Sequence, residues 1–314
     1  MELRQLRYFL TVAEEGHFTR AAERLYISQP ALSQQIRQLE AELGAVLLDR
    51  AGRRVRLTDS GEVVAHYARR ALQELDAAQV ALGELAGLRR GSLAVGVVQT
   101  VNAYLMPRAV AAFATAHPGI SLRVEERAAG AIESGLLAGE LHLGVGFVPP
   151  ADREIEAEAL FSEALVLIVA EEHPLAAREY VEVRELDGQP MVLLAPAFCT
   201  RRLWDSCAQQ AGARPRVLVE MNTIGGVLAS VRRTAAATVL PALALAADPP
   251  PGLHGIPLVN PTPQRTVGLL YRRGGYRCTA ARAFAALFRD VAGAATPPCA
   301  DAAATRGLSA LEPA

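Results

Sequence analysis

Between Gln29 and Leu43 the chain carries side chains suited to reading base edges. On a wheel of 100° per residue, Leu32, Ile36, Leu39 and Leu43 cluster on one side. Pro30, Gln34 and Arg37 point the opposite way, flanked by Ser33 and Gln38. Glutamine amides pair with adenine, guanidinium with guanine, and serine hydroxyls with either. The first residues of such a helix, here Gln29 and Pro30, enter a groove deepest. A polar helix face is ordinarily just solvated. The order Ala21-Ala22, turn, Ser28-x-Pro30, polar-faced helix is what points to a groove. Beyond it, Arg50, Arg53, Arg54 and Arg56 crowd a short stretch, with Arg53 and Arg54 at its turn, where they suit phosphate.

A second set of groups lies at predicted helix openings: Thr100 and Asn102 after one strand, Thr200 and Arg201 after another, Asn222 and Thr223 after a third. Free N–H groups at helix starts favour an anion. Each of these residues, taken alone, also serves as an ordinary cap, and Arg201 as a solvated charge. Catalytic constellations are missing. The six histidines show no HExxH or HxH spacing, and there is no GxSxG, Walker A or GxGxxG run. All 32 basic residues are arginine, which excludes Schiff-base and P-loop lysine chemistry. Cys199, Cys207, Cys278 and Cys299 form no CxxC or CxxH pair, so no metal site is expected. The sequence therefore predicts no catalytic residues, no metal and no cofactor. Cys199 at a helix start is a candidate redox thiol. Cys207, eight residues on along one helix, is about 12 Å away in rise, beyond disulfide reach without unfolding.

These residues need elements to hold them. Leu3, Leu6, Phe9, Leu10 and Ala13 recur at three- and four-residue steps and predict a helix ended by Gly16. Phe18 to Leu25 predicts a second helix, and Ser28 caps a third that Gly44 stops. Two helices joined by a tight turn inside a three-helix unit make a helix-turn-helix. Residues 46–57 read as a small hairpin. From Gly61 to about Leu88 a long helix carries Val64, Ala68, Ala71, Leu75, Ala78, Leu82 and Leu85 as a narrow apolar seam, the pattern of a dimerising helix. From Ser92 strands alternate with helices, implying a largely parallel sheet and two α/β halves around a cleft. The expected fold is mixed: an N-terminal all-α helix-turn-helix with its hairpin (1–58), a linker and dimerisation helix (59–90), and a C-terminal α/β domain of two Rossmann-like lobes (91–293). Lobe I takes 91–161 and 266–293, lobe II 162–265, and a disordered tail covers 294–314.

With 314 residues, 51 % hydrophobic and 21 % charged, the composition is globular. Net charge is −1, and residues 1–90 carry 13 arginines against 12 acidic residues, so DNA affinity must come from a local patch and from doubling by dimerisation. No secretory signal or membrane span is predicted, and few cysteines suit a reducing cytoplasm.

The stretch LRYFLTVAEEGHFTRAAERLYISQPALSQQIRQLEAELG, then Arg50 and LTDSG at 57–61, resembles the winged helix-turn-helix of LysR-type transcriptional regulators. His17 stands where a serine cap is usual, and Leu48 where phenylalanine is common. The resemblance implies promoter DNA as partner, Gln29, Pro30, Ser33, Gln34, Arg37, Arg53 and Arg54 as contacts, a homodimer or homotetramer, contact with RNA polymerase, and an effector in the C-terminal lobes. QPALSQQIRQLEAELG, LTDSGEVVAHYARRALQEL, VAEEHPLA, FCTRR and VRRTAAATVLPA further resemble regulators of cyanate-degradation operons, implying cyanate or another small anion at Thr100, Asn102, Thr200, Arg201, Asn222 and Thr223. An aromatic or dicarboxylic acid, or thiol oxidation, is the alternative signal. A solute-binding transport protein would explain only the α/β pair.

Overall fold

The computed structural model describes residues 1–50, 54–85, 91–246 and 251–295. The chain divides into two units, Met1–Leu88 with Gly135–Leu141, and Arg89–Ser134 with the residues from His142 on.

In the first unit, α1 (Leu3–Glu15), α2 (Phe18–Arg24) and α3 (Gln29–Leu43) surround a core of Phe9, Val12, Ala21, Ala22, Leu32, Ile36 and Leu39. Gly16 and Gly44 end α1 and α3 in the left-handed region. His17 caps α2 after all: its Nδ1 accepts from Thr19 N at 3.2 Å. The small pair Ala21 and Ala22, both buried, fits the close crossing their size implies. Leu43, expected on the core side, is instead exposed at the helix end.

The hairpin is two short antiparallel strands, β1 (Leu48–Asp49) and β2 (Arg56–Leu57). Glu40 of α3 holds it: Oε1 accepts from Leu47 N and Leu48 N at 3.0 and 3.3 Å, and Oε2 accepts from Arg50 at 2.6 Å. Arg50 also lies over the Phe18 ring, so this arginine is structural. Thr58 turns the chain into α4 (Asp59–Leu85), donating to Val46 O and accepting from Gly61 N. A Cβ on Gly61 would sit 2.1 Å from Leu47 O. Gly61→Ala is therefore expected to destabilise this unit by about 1–3 kcal/mol or more, because backbone must move. A thermal melt should show it, and an unchanged midpoint would contradict the packing.

The seam on α4 differs from expectation in its first two positions, Val64 and Ala68. Ala65 and Ala68 are buried in the unit's own core, with Val64 and Leu72 packed against it. Ala71, Leu75 and Ala78 of the expected seam are exposed, and Val63 and Tyr67 continue the stripe of Ala71 and Leu75 at steps of four. The side chains of Leu82 and Leu85 lie outside the described residues.

The second unit opens with β3 (Gly91–Val97), α5 (Gln99–Tyr104), α6 (Met106–Ala116), β4 (Ile120–Glu126), α7 (Ala129–Ala138) and β5 (Leu143–Val148). The single helix expected from Asn102 to Ala116 is two, because Pro107 cannot donate to the preceding turn and so begins a new helix. β6 (Ile155–Ala170) is one long strand, followed by β7 (Val181–Glu182), β8 (Pro190–Leu194), α8 (Cys199–Gln210), β9 (Arg216–Met221), α9 (Ile224–Val231), β10 (Thr238–Pro241), α10 (Leu243–Ala246) and β11 (Leu253–Val259). β12 (Gln264–Arg272) and α11 (Thr279–Ala295) complete it. Residues 294 and 295, expected in the tail, are the last turn of α11; residues 296–314 lie outside the described residues.

The main sheet runs β4-β3-β5-β12-β6-β11-β7, with β10 also on β6, and β8 pairs with β9 separately. β3, β4 and β5 are parallel, as expected, but β12 is antiparallel to β5 and β6, and β10 and β11 are antiparallel to β6. β6 pairs with β12 through Ala164, then with β10 from Leu165. It thus passes from one lobe to the other three residues beyond the expected boundary. The second lobe's core gathers Leu165, Leu167, Val169, Met191, Leu193, Trp204, Val239 and Ile256.

Candidate DNA-reading face and effector pocket

On α3, Leu32, Ile36 and Leu39 face inward, and Gln29, Pro30, Gln34, Arg37 and Gln38 are exposed. Ser28 accepts from Ala31 N at 3.4 Å and starts the helix. Arg37 and Gln34 make no ion pair or side-chain hydrogen bond among the described residues, so both are available to an outside partner. Ser33, set by the wheel beside the polar face, is only 9 % exposed, and its hydroxyl accepts from Gln29 Nε2 at 3.0 Å. Arg54 is exposed at the hairpin, and Arg53 lies outside the described residues.

In the second unit, one arginine gathers groups from four elements. Arg265 of β12 donates from Nε to Glu163 Oε1 of β6 at 2.7 Å, from Nη1 to Thr200 Oγ1 of α8 at 2.7 Å, and from Nη2 to Thr100 Oγ1 of α5 at 2.8 Å. Its guanidinium lies 4.4 Å from the centre of the Phe147 ring, a cation–π contact. The Arg265 and Glu163 side chains are each 7 % exposed. Burial, then the Glu163 charge, pushes the Tyr104 phenol far above its usual range, so it stays protonated.

Thr100 and Thr200, both buried, line a cavity of about 130 Å³ with Gln99, Arg127, Phe147, Phe198 and Cys199. Arg202 Nη2 donates to Cys199 Sγ at 2.9 Å. Cys207, further along α8, is buried, and burial pushes its thiol up. Among the described residues no group of histidine, cysteine and carboxylate side chains is placed to hold a metal ion, and no helix is long and apolar enough to cross a membrane.

Comparison with known proteins matches residues 3–62 to the family described as bacterial regulatory helix-turn-helix protein, lysR family, and residues 86–293 to the LysR substrate binding domain. The chain belongs to the LysR family of transcriptional regulators. It is a DNA-binding regulator and not an enzyme. It is 38 % identical over 232 residues to the RuBisCO operon transcriptional regulator of Allochromatium vinosum, covering 74 % of this chain and 76 % of that one. It is 32 % identical over 279 residues to the dual regulator OxyR of Escherichia coli, covering 87 % and 90 %. Among solved structures, full-length OxyR from Pseudomonas aeruginosa superposes with a TM-score of 0.73 at 28 % identity, covering 93 % of this chain and 94 % of that one. Full-length CbnR in complex with its target DNA gives 0.65 at 26 % identity, covering 94 % and 100 %.

Within this LysR-type chain, two of the six residues expected to meet an effector, Thr100 and Thr200, share the cavity wall. The others are engaged elsewhere. Arg201 is tied to Asp205, Glu220 and the Leu194 carbonyl. Asn102 donates to Glu126 at 2.9 Å. Thr223 caps α9 through Gly226 N, and Asn222 offers only its carbonyl, to Gln99. Sequence reasoning missed Arg265 and Glu163 as partners of this site. The one visible signal was a basic residue opening the otherwise apolar strand TVGLLY.

Proposed function

We propose that this LysR-type regulator reads promoter DNA through Gln29, Pro30, Gln34 and Arg37, with Ser33 acting through Gln29 and Arg53 and Arg54 on phosphate. Two copies pair through α4, where Val63, Tyr67, Ala71 and Leu75 offer an exposed apolar stripe, and dimers pair again on an inverted repeat. A cytoplasmic protein of this kind then signals to RNA polymerase by a change in subunit arrangement and DNA bend.

The effector in this reading is a small anion, cyanate being the specific candidate. The observation that carries it is the pair of threonine hydroxyls held by Arg265 on the cavity wall. A hydroxyl has one donor and two acceptor positions. With Arg265 supplying hydrogens to both oxygens, each hydroxyl's own hydrogen is left to donate to a guest. That free hydrogen on each hydroxyl suits a guest that accepts, as an anion does. A cavity of about 130 Å³ also falls well below the roughly 300–1,000 Å³ of pockets for larger ligands, which disfavours aromatic and dicarboxylic acids. Calorimetric titration with cyanate, benzoate and succinate tests this. Cyanate is expected to bind, and Thr100→Val and Thr200→Val are each expected to weaken it about 5- to 10-fold. Heat from benzoate or succinate alone would remove the reading.

A second reading rests on Cys199, whose sulfur lines the same cavity beside Arg202. Relatives at 31–33 % identity carry the name hydrogen peroxide-inducible genes activator. The sulfur would attack one peroxide oxygen, the O–O bond would break, and water would leave as the sulfenic acid forms. Cys199→Ser is then expected to abolish a transcriptional response to peroxide, and an intact response in that variant would end this reading.

A further inference from the structure

Tyr26 occupies the turn between α2 and α3 with φ at +55° and with 95 % of its surface exposed. That left-handed backbone suits glycine and is tolerated by asparagine, but it strains a bulky residue. The turn itself is fixed by backbone: Tyr26 N donates to Glu23 O and Ile27 N to Ala22 O, each at 3.1 Å. The phenol ring has no hydrogen bond or ring contact among the described residues. Nothing among the described residues uses this side chain, and a smaller residue would serve the turn better. Its use lies outside the chain.

What lies outside is fixed by the neighbouring helix. Tyr26 is three residues before Gln29, so at most about 11 Å of chain separates them. The major groove is about 12 Å wide, so a residue at that distance from the groove-entering end of α3 stands at the phosphate wall. Arg24, the nearest cation in sequence, is occupied by Glu14 and Glu15 at 3.0 Å each, which leaves the phenol hydroxyl as the donor this turn presents. We propose that Tyr26 is a DNA-positioning residue whose hydroxyl donates to a phosphate oxygen at the edge of each half-site. It fixes register and reads no base. This rests on the docking of α3 proposed above.

The test uses the full-length protein on two duplexes, one selected by the protein from a random pool and one of random sequence at low salt. Tyr26→Phe is expected to raise Kd about 10- to 100-fold per subunit on both, the worth of one hydrogen bond to a charged group. Its thermal midpoint and the salt slope should stay as they were, since no charge is removed. Phosphate-ethylation interference should show one position per half-site that matters to the wild type and not to Tyr26→Phe. Tyr26→Asn should bind as weakly while melting higher, because asparagine accepts the left-handed backbone. Unchanged affinity and interference in Tyr26→Phe would overturn the proposal, as would a loss confined to the selected duplex, which would mean base contact instead. If Arg37→Ala weakens binding while Tyr26→Phe does not, only this inference fails; if neither matters, the docking of α3 fails with it.

Discussion

Replacing Arg37 by alanine is expected to weaken binding to the regulator's own operator by about 1–3 kcal/mol per half-site and to relax sequence preference at one base pair. Arg37 is exposed and makes no ion pair among the described residues, so its guanidinium is not committed to the fold. Its removal leaves the packing of Leu32, Ile36 and Leu39 untouched, and the thermal midpoint should hold. Binding by a dimer would double the loss, to about 2–6 kcal/mol, because each half-site loses one contact. Equilibrium titration with a labelled duplex measures it. Affinity and base preference equal to wild type would show that Arg37 is a solvated surface charge.

Arg265→Met is expected to lower the stability of the second unit by about 3–5 kcal/mol, the usual loss when one partner of a buried ion pair is removed. The reason is the isolation of Glu163, whose carboxylate would be left inside the protein without its guanidinium, together with two threonine oxygens that lose their donor. For a domain of this size the thermal midpoint should fall by about 6–20 °C. The double variant Glu163→Leu with Arg265→Met removes both charges and should recover most of that loss. It should still fail to bind a small anion, since the threonine hydroxyls are then free to turn. A midpoint within two degrees of wild type for Arg265→Met would mean that water reaches the pair and that it does not join the lobes.

The helical unit was legible because its signals are local. Ser28, Pro30, Gly16 and Gly44 mark helix ends within a turn, and the leucine spacing of α3 fixes which side is buried. Ser33 sits at the boundary of that wheel, 100° from Leu32, where angle alone does not separate buried from exposed. Only the start of the α4 seam was misassigned, because Val63–Tyr67 and Val64–Ala68 share the same spacing and only the head's own core decides between them; Ala71 and Leu75 are exposed as expected.

The second unit was less legible because its defining contacts are distant in sequence. The first half of β6 alternates glutamates with small residues and reads as polar. Those glutamates meet Arg277, Arg289 and Arg265, each more than 100 positions away. The strand β11 carries Gly255 and Pro257, residue types that argue against a strand. Pro257 is tolerated because β11 meets β7 only beyond it, at Leu258 and Val259, so no ladder partner is lost at that edge. Helix starts revealed Thr100 and Thr200, but the arginine that joins them came from a strand with no spacing relation to either.

The most direct test of the central claim is guanine-N7 methylation interference on the operator with wild-type protein and Arg37→Ala. N7 lies on the major-groove edge of guanine and is blocked by the added methyl. If α3 lies in that groove with Arg37 on a guanine, methylating one guanine in each half-site will block the wild type and will no longer matter to the variant. Interference confined to minor-groove positions, or an identical pattern for both proteins, would contradict the account.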